Sequence, residues 1–194
     1  TASQSLVFTG NNLTLNGAGN NTIGTTMTVN NTGTLTTADT AVLSVNGLFT
    51  QTVAGTENSI SADINSTVSG INFEGAVKLG GTDQVTFTAA RGNNIDIGGN
   101  LTTDTAANNG IFIVPQGTIN LKAAGNSVVS PTSFTAADVN LTSLTSTQLV
   151  LVSAANLNGT SINVAALTIG AGANSVNLTN TTINGQTGRN AWKS

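Results

Sequence analysis

Triplets of the form apolar-Asn-apolar return at near-regular intervals in the second half of the chain: Ile119-Asn120-Leu121, Val139-Asn140-Leu141 and Val176-Asn177-Leu178. Ala155-Asn156-Leu157 is a looser echo. The starting points lie about 20, 16 and 21 residues apart, a period that signals stacked supersecondary units rather than an ordinary globule. In an extended segment successive side chains point to opposite sides. The triplet therefore reads as a coil marker, with Asn at a ladder or corner position and its apolar neighbours facing in.

The rest of the chain is written in short strands. Leu13-Thr14-Leu15, Met27-Thr28-Val29, Ile71-Asn72-Phe73, Val85-Thr86-Phe87, Ile95-Asp96-Ile97 and Ile162-Asn163-Val164 alternate apolar with polar, and Gly and Asn interrupt them. Helix signals are nearly absent. The best helical candidate is residues 133–139, and even there Thr and Ser stand where helices favour Ala, Leu or Glu. Asn-Gly pairs at Asn16, Asn46, Asn109, Asn158 and Asn184 are irregularly placed, unlike the turns of serial hairpins. Six Phe and one Trp are few for a sandwich of 194 residues. The expected fold is all-β, a right-handed parallel β-helix (β-solenoid) of about 9–10 coils of roughly 20 residues. Stacked Val, Ile, Leu and Ala would fill its interior, and at about 4.8 Å between paired strands the rod would be roughly 45 Å long.

Composition agrees with that architecture. Charged residues make up 7% of the chain, against about 25% in an average domain, so Thr, Asn and Ser must supply its solubility. The hydrophobic fraction of 38% separates it from disordered chains of similar polar bias, which are poor in aliphatic residues.

The stretch Ile71-Asn72-Phe73-Glu74-Gly75-Ala76-Val77-Lys78-Leu79, followed by Val85-Thr86-Phe87-Thr88-Ala89 and Asn94-Ile95-Asp96-Ile97-Gly98-Gly99-Asn100-Leu101, resembles repeats of large bacterial surface proteins. These are the filamentous-haemagglutinin-like and autotransporter adhesins. The likeness is closest over residues 71–121 and is carried elsewhere by composition and period. It implies a right-handed parallel β-helix passenger, an extracellular or bacterial cell-surface location, and a structural or adhesive role. Two parts of the family pattern, an amino-terminal secretion domain and a carboxy-terminal translocator barrel, are not recognisable in this sequence.

One β-helix domain is expected over residues 1–187, followed by a tail over residues 188–194. The tail holds the chain's Trp and two of its five basic residues, which makes Arg189, Trp192 and Lys193 candidate assembly residues. The end coils of a solenoid expose strand edges that template association. Self-association through those coils is the expected partner relation, with host or environmental glycans second.

The remaining chemistry excludes more than it suggests. Net charge is −3, and Lys78, Arg91, Lys122, Arg189 and Lys193 are spread too widely to form the basic face that nucleic acid requires. No apolar run approaches the length of about 20 residues that spans a bilayer as a helix. His, Cys and Tyr are absent, which removes the usual proton shuttle and the thiolate nucleophile, and no cofactor motif is present. Carboxylates remain. A carbohydrate-active β-helix enzyme would need a pair of them, and Asp96 with Asp83 or Asp104 is the candidate pair; the plainer reading is isolated surface charge. The same Asp83, Asp96 and Asp104 are the candidates for a Ca²⁺ site of hard oxygen ligands. Gly80-Gly81-Thr82-Asp83 approaches the calcium β-roll pattern but lacks its third Gly and does not recur. Thr-x-Thr pairs at Thr26, Thr34, Thr50, Thr86 and Thr145 bring an ice-binding solenoid to mind as a further alternative, yet they keep no coil period. The expectation is a chain that is not an enzyme and holds no cofactor, acting as an extracellular structural or adhesive rod able to join end to end into filaments.

Overall fold

The computed structural model describes residues 4–104 and 109–184, and over them the chain forms the all-β parallel solenoid expected from its sequence. Each strand pairs in parallel with its counterpart one coil away. Leu6 faces Met27, Met27 faces Phe49, Phe49 faces Ile71, and the same column continues through Ile95, Ile119 and Val139. The backbone thus climbs by one strand spacing, about 4.8 Å, per turn.

Three faces make up each turn. The first carries Leu6–Gly10, Met27–Asn31, Phe49–Gln51, Ile71–Phe73 and Asn94–Ile97, then residues 118–121 and 138–141, and finally Ser175–Leu178. The second begins with Leu13–Leu15 and Leu35–Thr37 and ends with Thr181–Ile183. The third runs from Gly19–Ile23 and Ala41–Val45 through Val85–Ala89 to residues 110–114 and 132–136.

About 8 turns of roughly 22 residues result, fewer and longer than the 9–10 coils of roughly 20 expected, because the Asn triplets sample only the compact later coils. The rod is correspondingly nearer about 40 Å long. Equivalent outward residues of the first face are separated by 24, 20, 18 and 19 positions in the later coils. Face strands stay in register, so the variation falls at the corners. In the tightest coils the corners are so slight that Thr132–Ile169 runs as one continuous strand of 38 residues through successive faces. Residues 133–139 lie in it. The helical candidate is therefore strand, since pairing of Ser133, Phe134 and Thr135 with Ile111, Phe112 and Ile113 outweighs a weak local preference.

Alternation buries one side of the strands between the end coils: every second side chain of Met27–Asn31, Ala41–Val45 and Val85–Ala89 is buried. The interior is not filled by aliphatic residues alone. Five of the six Phe form a continuous spine, Phe49–Phe73–Phe87–Phe112–Phe134, with ring centroids 5.0, 5.8, 5.3 and 5.2 Å apart. It begins on the first face and crosses to the third at Phe87. Rings at these separations gain offset or edge-on attraction in addition to their burial.

Amides are buried as well. Gln51 and Asn58 are fully buried, and Asn31 lies between them: Gln51 Nε2 donates to Asn31 Oδ1 at 3.0 Å, and Asn31 Nδ2 donates to Asn58 Oδ1 at 3.3 Å. Gln51 Oε1 accepts from Gly75 N at 2.8 Å, and Asn58 Nδ2 donates to Ala76 O at 2.9 Å. Near the same edge farther along the rod, buried Asn126 accepts from Leu101 N at 2.8 Å and donates to Ala123 O at 2.7 Å and Ser143 O at 2.9 Å. A buried polar group costs stability unless it is paired, and here each amide closes backbone groups that the turn leaves open.

Candidate functional site: amide ladders and carboxylates on the rod surface

Parallel in-register stacking places like residues on like. On the outer side of the first face this builds a hydrogen-bonded ladder from the Asn residues of the three clear triplets. Asn120 Nδ2 donates to Asp96 Oδ1 at 2.8 Å, Asn140 to Asn120 at 2.8 Å, Asn158 to Asn140 at 2.9 Å and Asn177 to Asn158 at 3.1 Å. The apolar neighbours face in, as the triplet reading expected. The looser echo is shifted by two residues. Leu157 pairs with Val176, so the repeating unit in that coil is Leu157-Asn158-Gly159, and Asn156 belongs to a neighbouring column. That column is a second ladder, in which Asn156 Nδ2 donates to Asp138 Oδ1 at 2.6 Å and Ser175 Oγ bonds Asn156 Oδ1 at 2.8 Å.

Both ladders begin with a carboxylate. An Asn rung must donate to one neighbour and accept from the other, whereas the first acceptor needs no donor, and ionised Asp has none. The same property ends the ladder. Asn72 is the register partner of Asp96, but its amide turns instead to Glu74 Oε1 at 3.0 Å. Lys122 completes the terminus, with Nζ 3.0 Å from Asp96 Oδ1.

The three Asp residues singled out from sequence are not brought together. Asp96 lies on the first face, committed to Asn120 and Lys122. Asp104 follows Leu101–Thr103 of the second face and pairs with Lys78 at 3.0 Å, which holds the Lys78 ammonium above its usual range. Asp83 lies in the corner between Ala76–Leu79 and Val85–Ala89. The best paired-carboxylate arrangement is thus dissolved by topology. Among the described residues no three His, Cys, Asp or Glu side chains are grouped so as to hold a metal ion.

The Gly80-Gly81-Thr82-Asp83 segment does the opposite of what its likeness to a calcium loop suggested. Its backbone N–H groups converge on an anion, the chain's own Asp39 carboxylate. Thr82 N reaches Asp39 Oδ2 at 2.9 Å, Thr82 Oγ1 donates to it at 2.7 Å, and Asp83 N lies 3.4 Å from Oδ1. Gly81 has φ +84, and any Cβ there would strike Asp39, so this position requires glycine twice over. Asp39 reaches past the two-residue corner Ser61-Ala62 of the intervening coil, tying the second coil to the fourth. This latch was invisible in sequence because its partners are 43 residues apart.

The Thr82 backbone and hydroxyl bonds hold the Asp39 carboxyl below the ordinary carboxylate range. A carboxyl depressed in the folded state contributes stability above its unfolded value of about 3.9, and that contribution fades as pH falls through the folded value. In thermal melts followed by circular dichroism, the native chain should exceed Asp39→Asn in Tm by a constant margin from about pH 5 to 8, and the margin should disappear in stronger acid. A margin that grows in acid would contradict the latch.

The Thr-x-Thr pairs are dispersed. Thr28 and Thr50 are register partners on the first face, Thr36 lies on the second and Thr86 on the third, so they form no single array. Arg189, Trp192 and Lys193, with the rest of the expected tail, lie outside the described residues. No helix among the described residues is long and apolar enough to cross a membrane. Comparisons with protein-family models, with curated proteins and with solved structures return no match for the chain.

Proposed function

We propose that the chain is a length of extracellular rod belonging to a bacterial surface protein, with a structural and adhesive rather than catalytic role. The observation that carries this reading is the outer side of the first face. From Asp96 to Asn177 it presents fixed amides and hydroxyls at one coil spacing, while Asp96 and Asp104 are held by lysines, Asp138 by a ladder rung and Asp39 and Asp63 by backbone N–H groups. Such a surface offers many weak hydrogen bonds to neutral polyhydroxyl ligands, and glycans are the class whose chemistry fits. Each bond is worth little against water, so useful binding requires several rungs at once and multivalent display. End-to-end joining of rods belongs to the same reading. A carbohydrate-active enzyme is not favoured, since Asp96 lies on a different face from both Asp83 and Asp104.

The test is a glycan panel probed with the chain displayed multivalently on beads. The expected result is weak, salt-insensitive retention on a subset of neutral glycans, reduced at least tenfold when Asn120, Asn140 and Asn158 are all changed to Ala. Silence across the panel would remove the adhesive part of the proposal.

A further inference from the structure

The ladder of the first face uses only half of each amide it is made from. An amide offers two N–H donors and an oxygen with two lone pairs. Asn120, Asn140 and Asn158 each give one N–H to the rung on one side and accept one bond from the rung on the other. One donor and one acceptor per rung therefore remain, on a side chain that both neighbours already hold in place.

The register extends this pattern sideways. Two residues after each rung, Lys122, Thr142, Thr160 and Thr179 follow one another in an exposed column, so that Asn140-Leu141-Thr142, Asn158-Gly159-Thr160 and Asn177-Leu178-Thr179 repeat the same outward pair in three successive coils. Two residues before each rung, Thr118, Asp138, Asn156 and Ser175 form the column of the second ladder. Columns stand about 6.6 Å apart and rungs about 4.8 Å apart, set by the strand rise and the strand spacing. Asp96, Lys122 and Asp138 are the charges of this grid, and Lys122 is paired with Asp96 at 3.0 Å. Its balance is slightly negative.

We propose that this grid takes one chain of a linear neutral polysaccharide laid parallel to the rod axis, with one sugar unit over each coil. The proposal rests on the glycan reading above and adds the class of glycan and its direction. An extended pyranose chain advances by about one strand spacing per unit, so its hydroxyls return where the spare N–H and lone pair return. A hydroxyl both donates and accepts, which matches the two groups left on each rung. Across the strands no such repeat exists, because the three columns carry different residues. The described aromatic rings are turned to the core, so no ring among them stacks a sugar on this face and recognition falls to the hydroxyl edges. Rungs that are fixed beforehand lose little freedom when a ligand arrives. Uronate chains of the same shape are repelled by Asp138, with Lys122 already committed to Asp96.

The test titrates the free chain, by saturation-transfer NMR, with soluble β-1,4-linked oligomers of glucose, xylose and N-acetylglucosamine of one to four units. In at least one series Kd should fall about threefold with each unit through the fourth, the effect of roughly one net hydrogen bond per rung. Two triple variants read the direction. Asn120→Ala, Asn140→Ala and Asn158→Ala together remove one column over three coils and should weaken the tetramer about thirtyfold, whereas Asn156→Ala, Asn158→Ala and Thr160→Ala together remove one coil over three columns and should weaken it about threefold. The length series uses the native chain, so it decides even where a variant unfolds. Affinities that do not change with length, equal losses in the two variants, or uronate oligomers bound as tightly as neutral ones would overturn the axial proposal, as would oligomers that stay unbound while the bead panel retains branched glycans; in each of these cases panel retention still supports adhesion. Silence of both the panel and the oligomers would remove the glycan reading and this inference with it.

Discussion

Phe87→Ala is expected to lower the unfolding free energy by about 3–5 kcal/mol, the range seen when a fully buried ring is deleted and the surroundings cannot collapse. Phe87 is completely buried and has two ring neighbours, Phe73 and Phe112, at 5.8 and 5.3 Å. It is also where the spine changes face, so no other side chain bridges the two halves of the aromatic column in the same way. In a solenoid most contacts of a coil, the Asp39 latch aside, are with its two neighbours, and stability is close to a sum of coil and interface contributions. A weakened interface in the middle should therefore uncouple the halves. Urea unfolding of the variant should show a lower midpoint and a shallower or two-step transition, whereas Phe134→Ala, which removes the terminal ring of the spine, should lower the midpoint with less loss of steepness. A Phe87→Ala transition as steep as the native one would show that the spine does not couple the coils.

Asn126→Leu should be nearly as costly despite replacing a polar residue by an apolar one of similar size in the core. The amide serves Leu101 N, Ala123 O and Ser143 O, backbone groups of three successive coils. Each buried group left unpaired costs about 1–3 kcal/mol, so a loss of roughly 3 kcal/mol or more is expected after allowing for the better burial of leucine. The comparison is Asn177→Leu, at the exposed end of the outer ladder, where water replaces the lost partner and the cost should stay within about 1 kcal/mol. Equal losses at the two sites, measured by denaturant titration, would mean that the buried amide is not structurally special.

The same residue type thus has two meanings in this chain, and sequence reading captured one of them. Outward Asn at 120, 140 and 177 is legible because strand alternation forces it between two apolar residues, and stacking repeats it once per coil. Asn158 is not legible as a rung because Gly159 stands where an apolar residue is expected after it, and its neighbour Asn156 fits the triplet pattern while belonging to another column. Inward Asn31, Gln51, Asn58 and Asn126 have no local signal: what makes them necessary is the set of open backbone groups at a corner, which exists only after folding. The Phe spine has no sequence signature for a related reason. Its members belong to two faces and become neighbours only through the cross-section of the rod. In Gly80-Gly81-Thr82-Asp83 the groups that act are the N–H donors of Thr82 and Asp83, which every non-proline residue carries and which therefore leave no mark in the sequence.

The uneven coil length has a consequence for how such a chain can change. Insertions and deletions are absorbed where the path turns, while the paired columns stay aligned. Gly55, Gly92 and Gly172 mark turns of positive φ at which a new side chain would meet open space. Extra loops, charged segments or whole recognition modules can be grafted at such sites without disturbing a single rung. The solenoid is in that sense a straight carrier whose decoration can diversify faster than its frame.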